Sequence, residues 1–228
     1  MTIQTILFII AIILLAYFWK KEQQKKQLRF IENYKFSPVL LKRVKAQHDY
    51  LNDADMVQVV KATRDYFYIC NQAKGKMVAM PSEIVDVFWH EFLLFTREYQ
   101  QFCQKGIGRF LHHTPTEAMK TPISAQEGIK RAWRLACAKE SIYPKSPIKL
   151  PLLFAIDKKL KIKGGFSYQL NCKGNPSSSH ASSCGGYCAT DIGCTSGCGG
   201  DSGSSSSDGG GFFGGGDSSC GGGGCGGD

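Results

Sequence analysis

From Ile6 to Trp19 every residue is apolar or aromatic, and Ile3 extends the run with only Gln4 and Thr5 between. A run of this length must be covered by other protein or by lipid. At about 1.5 Å of rise per residue, a helix over residues 1–19 reaches roughly 28 Å, close to the roughly 30 Å of a bilayer's hydrocarbon core. The run closes on Tyr17-Phe18-Trp19, rings suited to the membrane interface, and Lys20, Lys21, Lys25, Lys26 and Arg29 follow at once. A cleavable signal peptide would carry positive charge before the run and a small-residue cleavage site after it. Here no basic side chain precedes the run, and Ala16-Tyr17-Phe18 is a poor cleavage site. The expectation is an uncleaved single-pass anchor in an inner or plasma membrane. Lysines beside an apolar run stay cytoplasmic, so Met1 should lie outside and the bulk of the chain in the cytoplasm. That compartment makes thiols, not disulfides, the default state of the ten cysteines.

The charge distribution divides the chain further. Residues 1–19 have no charged side chain, residues 20–173 hold all 28 Lys/Arg and 14 of the 19 Asp/Glu, and residues 174–228 hold only five aspartates. So uneven a chain is neither one uniform globule nor a small disulfide-stapled secreted domain. The domains read as an anchor (1–19), a basic juxtamembrane segment (20–36), a helical domain (37–163) and a Gly/Ser/Cys-rich low-complexity tail (164–228). The basic collar at Lys20, Lys21, Lys25, Lys26 and Arg29 is placed to meet anionic lipid. No recognition-helix pattern, zinc finger or RNP-like motif accompanies the basic residues, so no nucleic-acid partner is expected.

The body reads as helices with short connections. Ser37-Pro38 is a cap with proline at the first helical position, followed by Leu40, Leu41, Val44, His48 and Leu51 at helical spacing. Asn52-Asp53 can cap the next helix, whose Met56, Val60, Thr63, Phe67 and Cys70 share a face and which Gly75 ends. A third helix starts near Ser82 and carries Phe88, Phe92, Phe95, Tyr99 and Phe102 as one aromatic stripe, the pattern of a core face. Thr114-Pro115-Thr116-Glu117 and Ser124-Ala125-Gln126-Glu127 read as capping boxes, the second opening a helix with Ile129, Trp133 and Ala136 along one side. A last apolar stretch runs from Leu150 to Ile156. No sustained two-residue alternation argues for a sheet. The fold class is therefore all-α, a small bundle of five or six helices behind a transmembrane helix.

The densest chemistry lies between Asp86 and His113. Asp86 and His90 are four apart and share a helix face. Cys103 lies near the end of the same helix, and His112-His113 follow the Gly106/Gly108 breaks, so a turn can bring either histidine back towards His90. Aspartate, histidine and cysteine together would suit zinc or iron, and His90, Cys103, His112 and His113 are the candidate ligands. On a straight helix, His90 and Cys103 stand about 220° apart and share an ion only if the helix breaks between them. The competing structural reading pairs His90 with Asp86 or a carbonyl and buries Cys103 as a small apolar side chain. A Cys–His nucleophilic pair lacks a third, orienting group, so no catalytic residue is assigned.

These residues also carry a resemblance. Val85-Asp86-Val87-Phe88-Trp89-His90, then Thr96, Tyr99 and Cys103, and Gly108-Arg109-Phe110-Leu111-His112-His113-Thr114-Pro115, resemble glycine-rich domain-containing proteins of bacteria and plants. The pattern of that family is V-D-x-x-W-H-x-H-I-L-D-T, a tyrosine and a cysteine, then F-G-x-F-L-H-H-x-P. The resemblance covers Met80 to Pro115 and, in a general way, the glycine-rich tail. It implies an architecture more than an activity. Phe92 stands where the family often has a second histidine and Phe95 where it often has aspartate, which implies a lost ligand if the family site holds a metal.

Residues 164–228 contain 22 of the 26 glycines, 14 serines and seven of the ten cysteines. Such a stretch buries too little to offset the entropy of ordering its glycines, and a flexible tether is expected. Cys184/Cys188 and Cys194/Cys198 are close pairs that could together wrap a zinc ion or an iron–sulfur cluster, although neither has Cys-x-x-Cys spacing. The functional expectation is a membrane-anchored cytoplasmic interaction or scaffold module. The alternative is a metal- or thiol-dependent protein using His90, Cys103, His112 and His113 or the tail cysteines.

Overall fold

The computed structural model describes residues 3–113, 122–170, 186–189 and 192. α1 (Ile3–Asn33) is one unbroken helix of 31 residues. Every side chain from Ile3 to Trp19 is exposed, and nothing among the described residues covers that stretch. The boundary expected at residue 19 is thus not a structural one. The basic segment continues the same helix, and its lower turns belong to the body: Gln24, Gln27 and Phe30 are partly covered and Ile31 is fully buried. Lys20, Lys21, Lys25, Lys26 and Arg29 all remain exposed.

α2 (Pro38–Gln47) begins at the Ser37 cap, whose hydroxyl accepts from the Leu40 amide. α3 (Asp53–Gln72) begins at a capping box in which Asn52 and Asp55 satisfy each other's amides, and ends where Lys74 and Gly75 turn left-handed at φ 49° and 88°. It packs against α1 in antiparallel register. Buried Asn71 donates to Gln27 Oε1 at 2.9 Å and to the Gly106 carbonyl at 2.8 Å. Two turns back along α3, Arg64 donates to the Tyr34 carbonyl, and Lys139 joins Asp65 at 2.7 Å to Glu32 at 3.6 Å.

The single aromatic helix expected after Ser82 is instead three elements. α4 (Glu83–Leu94) ends at Phe95, whose ψ of 59° leaves the helical region. α5 (Thr96–Phe102) then runs into a π-helix, Cys103–Ile107. No glycine or proline marks the break; packing explains it, because the kink lets Tyr99 and Phe102 converge on the Phe92 ring at 5.3 and 5.4 Å. Phe88, Phe92, Tyr99 and Phe102 are buried as the stripe requires, whereas Phe95, at the kink, is only partly buried. The π-helix closes on Gly108 at φ 76° and leaves Gly106 against α1, where an added Cβ would lie 2.9 Å from Ile31 Cγ1. Gly106→Val should therefore overpack this joint and cost about 1–3 kcal/mol, read as a lowered unfolding midpoint. An unchanged midpoint would mean that α1 is not part of the core.

α6 (Pro122–Lys139) starts two residues before the capping box expected at Ser124, on the proline itself. Ile129, Trp133 and Ala136 are buried along one side as expected. The box expected at Thr114–Glu117 lies outside the described residues. α7 (Leu152–Lys159) supplies Leu153, Phe154 and Ile156 to the core, with the Trp133 ring edge-on to Phe154 at 5.1 Å. Asp157 of α7 reaches the start of α4, accepting from Ser82 Oγ and the Glu83 amide, both at 2.7 Å.

The body is mostly helical, with six α-helices after α1 among the described residues. The expected all-α class holds but for one small addition, a two-stranded sheet in which β1 (Ser167–Gln169) pairs in parallel with β2 (Gly186–Cys188). Three-residue strands are too short to show alternation in the sequence. Residues 164–170 are also seated on the body. Tyr168 is buried against Phe154 at 4.8 Å, the Phe166 amide donates to Asp157 at 3.0 Å, and Ala189 and Ile192 are buried. A few apolar residues suffice to seat these described residues on the core.

Candidate metal centre

Three side chains meet on the outer face of α4. Ser82 caps that helix and Asp157 holds its first amides, which sets the helix register and so the direction of Asp86 and His90, one turn apart. His90 Nδ1 lies 3.0 Å from the Asp86 carbonyl oxygen and 3.3 Å from its carboxylate. His113 arrives from the segment after the π-helix, turned back by left-handed Gly108. Its Nε2 lies 3.0 Å from Asp86 Oδ1, and its ring is 4.2 Å from that of His90.

The approach of His113 is itself supported. The Trp89 indole donates to the Tyr99 hydroxyl at 3.1 Å, and that hydroxyl donates to the Leu111 carbonyl, two residues before His113. The Trp89 ring then stands edge-on to His113 at 4.5 Å. His113 is nearly enclosed, with 14% of its side chain exposed, whereas His90 is half open at 51%. One wall of the site is therefore dry and aromatic and the other faces water.

One donor atom from each of Asp86, His90 and His113 lies within 4.8 Å of the other two. Two imidazoles and a carboxylate suit zinc or ferrous iron, and three protein ligands leave coordination positions for water or a substrate. The same distances also make a hydrogen-bonded His–Asp–His network. Glu83 lies one turn before Asp86, and burial together with the negative charges of Asp86 and Asp157 holds its carboxyl above the usual range.

Of the residues expected from sequence, the fold unites His90 and His113 and leaves the others apart. His112 is outside the cluster, exposed and tilted against the Phe110 ring at 4.8 Å. Cys103 is fully buried even though the helix breaks before it, because the π-helix turns it into the core beside Tyr99. Burial raises its thiol and pushes those of Cys70 and Cys137 up to about 12, so none of the three is a poised thiolate. Cys188 lies in β2, while Cys184, Cys194 and Cys198 lie outside the described residues. The sequence places Asp86 beside His90 in the candidate cluster, but not as the group that both imidazoles share. The i,i+4 spacing was the available signal, and it does not reveal that His113 reaches the same carboxylate.

Fold and site together define a mostly helical domain that carries, at its N-terminus, one helix long and apolar enough to cross a membrane. The chain belongs to the UCP032817-like family, which it matches over residues 26–192. The match runs from the docked turns of α1 through the helical body to the residues seated after β2. No curated protein and no solved structure matches the chain.

Proposed function

We propose that the chain is a single-pass membrane protein whose helical domain is held on the cytoplasmic face as an interaction or scaffold module. The observation that carries this reading is the continuity of α1, a helix exposed and apolar over Ile3–Trp19 and built into the core by Ile31. A helix that emerges directly from a packed domain fixes that domain close to the bilayer, with no flexible linker between. The collar at Lys20, Lys21, Lys25, Lys26 and Arg29 then faces anionic lipid and sets the orientation.

Sidedness is tested by labelling intact cells with a membrane-impermeant thiol reagent. A Thr2→Cys variant should be labelled at residue 2, with Cys220 and Cys225 unmodified. Labelling at Cys220 and Cys225 instead would reverse the orientation and make disulfides the default state of the tail.

The meeting of Asp86, His90 and His113 favours a second property within the same reading, the binding of a divalent transition metal. The site faces water on its His90 side, so an ion held there could take a further ligand from a partner protein or a small molecule. Cobalt(II) added to the purified chain reads it directly, through the visible absorption of a nitrogen- and oxygen-ligated ion. A chain that gives no such absorption and no heat of binding with zinc lacks the property.

A further inference from the structure

We propose that a basic groove at the C-terminal end of α3 binds a phosphate-bearing anion, which in the anchored chain is the headgroup of an acidic phospholipid. The lipid assignment rests on the membrane-anchored reading above; the anion chemistry does not. The groove is an open depression of about 450 Å³, lined by Lys74 and Lys76 from the end of α3, by Arg131 and Arg134 from α6, and by Ala73 and Leu135.

Two separate elements converge to build it. The left-handed turn at Lys74-Gly75 ends α3 and leaves Lys74 and Lys76 exposed at its rim. Arg131 and Arg134 are three apart on α6 and so share a face. Arg131 is partly committed, donating to the Met77 carbonyl with Glu127 3.8 Å away. Lys74, Lys76 and Arg134 have no acidic partner among the described residues. Cations near a helix C-terminus favour its dipole, which accounts for the lysines. It does not account for two arginines brought from a second helix to the same opening. Guanidinium groups with ammonium neighbours form the donor set that recognises phosphate.

The position of the groove selects the source of that phosphate. Its first lining residue, Gln72, follows Asn71, which touches Gln24 at 3.4 Å and Gln27 at 2.9 Å. Gln24 lies five residues beyond Trp19, roughly 7 Å along the helix axis. A headgroup layer is itself about 5–8 Å deep. The α3 terminus therefore reaches the level at which lipid phosphates lie when residues 3–19 span the bilayer.

The test uses the full chain in nanodiscs of phosphatidylcholine doped with a photoactivatable phosphatidylglycerol. Cross-links should map to residues 72–76 and 131–135. They should fall at least roughly tenfold in a Lys76→Gln/Arg134→Gln double variant, from which two headgroup-level charges are lost. They should persist in a Lys21→Gln/Lys25→Gln variant, which alters the collar alone. A second arm asks whether excess inorganic phosphate protects Lys74 and Lys76 from acylation. Protection without lipid cross-links would keep the anion site and assign it to a soluble phosphate ester, overturning the lipid source. Cross-links confined to residues 20–29 with no phosphate protection would overturn the proposal. A chain that fails to enter nanodiscs would count against the anchor, and the phosphate arm would still read the groove.

Discussion

Asp157→Ala should lower the stability of the helical domain by about 3 kcal/mol, or about 9 °C in midpoint for a domain of this size. The reason is the number of groups that converge on one buried carboxylate. Ser82 Oγ and the Glu83 amide donate to it at 2.7 Å, the Phe166 amide at 3.0 Å and the Ile84 amide at 3.4 Å. These donors come from the start of α4 and from the segment after α7, so a single side chain joins three parts of the chain. Alanine removes the acceptor and leaves donors without a partner inside the protein, the costly direction of the exchange. Burial pushes the Asp157 carboxyl above its usual range, and the hydrogen bonds only partly oppose it. The folded state therefore binds that proton more tightly than the unfolded chain. The contribution of protonation to stability is fully present at low pH and is lost as pH rises from the ordinary carboxylate range through the folded value. Chemical unfolding of the two proteins across that window checks both points. The difference between them should vary with pH, and a loss under about 1 kcal/mol would show that Asp157 does not anchor α4.

On the proposed metal-binding reading, affinity for zinc should fall by at least roughly a hundredfold in Asp86→Ala and in His113→Ala, since three ligands less one leave only two. Asp86 is central because both imidazoles lie against its carboxylate, at 3.0 and 3.3 Å. The control is Cys137→Ser. Cys137 is buried on α6, outside the Asp86–His90–His113 cluster and outside the Tyr99–Leu111 contact, so that variant should lose stability and keep the affinity of the parent chain. A Tyr99→Phe variant separates support from ligation. It loses the hydroxyl that holds the Leu111 carbonyl and receives the Trp89 indole, so it should weaken binding about 10- to 100-fold without removing any ligand. Calorimetry with zinc distinguishes these outcomes. Equal affinity in wild type and His113→Ala would reduce the cluster to a hydrogen-bond network.

What could be read from the sequence divides by the range of the interaction that decides it. Local signals worked: Ser37-Pro38, Asn52-Asp53 and Ser82 each start a helix where a cap is written, because capping is settled within four residues. The aromatic stripe identified the core face, yet its periodicity carried no sign of the kink at Phe95, which follows from where Tyr99 and Phe102 find room. The same limit governs the site. Asp86 and His90 were readable as a helical pair, whereas the return of His113 depends on the π-helix, on Gly108 and on a hydroxyl contact with Leu111. Cys103 could be read as a ligand or as a small buried apolar side chain, and the structure gives the second, since a helix break frees a side chain to turn inward as readily as outward. The seating of residues 164–170 rests on Asp157 and Phe154, too distant in sequence to leave a local trace.

The view of the collar also changes with the structure. Read alone, residues 20–36 are a basic linker, and net charge suggests a lipid-facing surface without saying how firmly the domain is held there. In the folded chain, the same helix that presents Lys21, Lys25, Lys26 and Arg29 outward turns Ile31 into the core and joins Asn71 through Gln24 and Gln27. One helix face meets the protein while the other is exposed, so on the proposed anchored reading the orientation of the domain follows that of the helix.

The central claim is that residues 3–19 cross a bilayer and hold the domain to it. Alkaline carbonate extraction of membranes from cells expressing the full chain tests this most directly, with an Ile9→Lys/Ile13→Lys variant alongside. Each lysine near the centre of a span costs about 3 kcal/mol of insertion free energy. The wild-type chain should remain in the membrane pellet, and the double variant should pass to the supernatant with its helical domain folded. A wild-type chain released by carbonate would contradict the account.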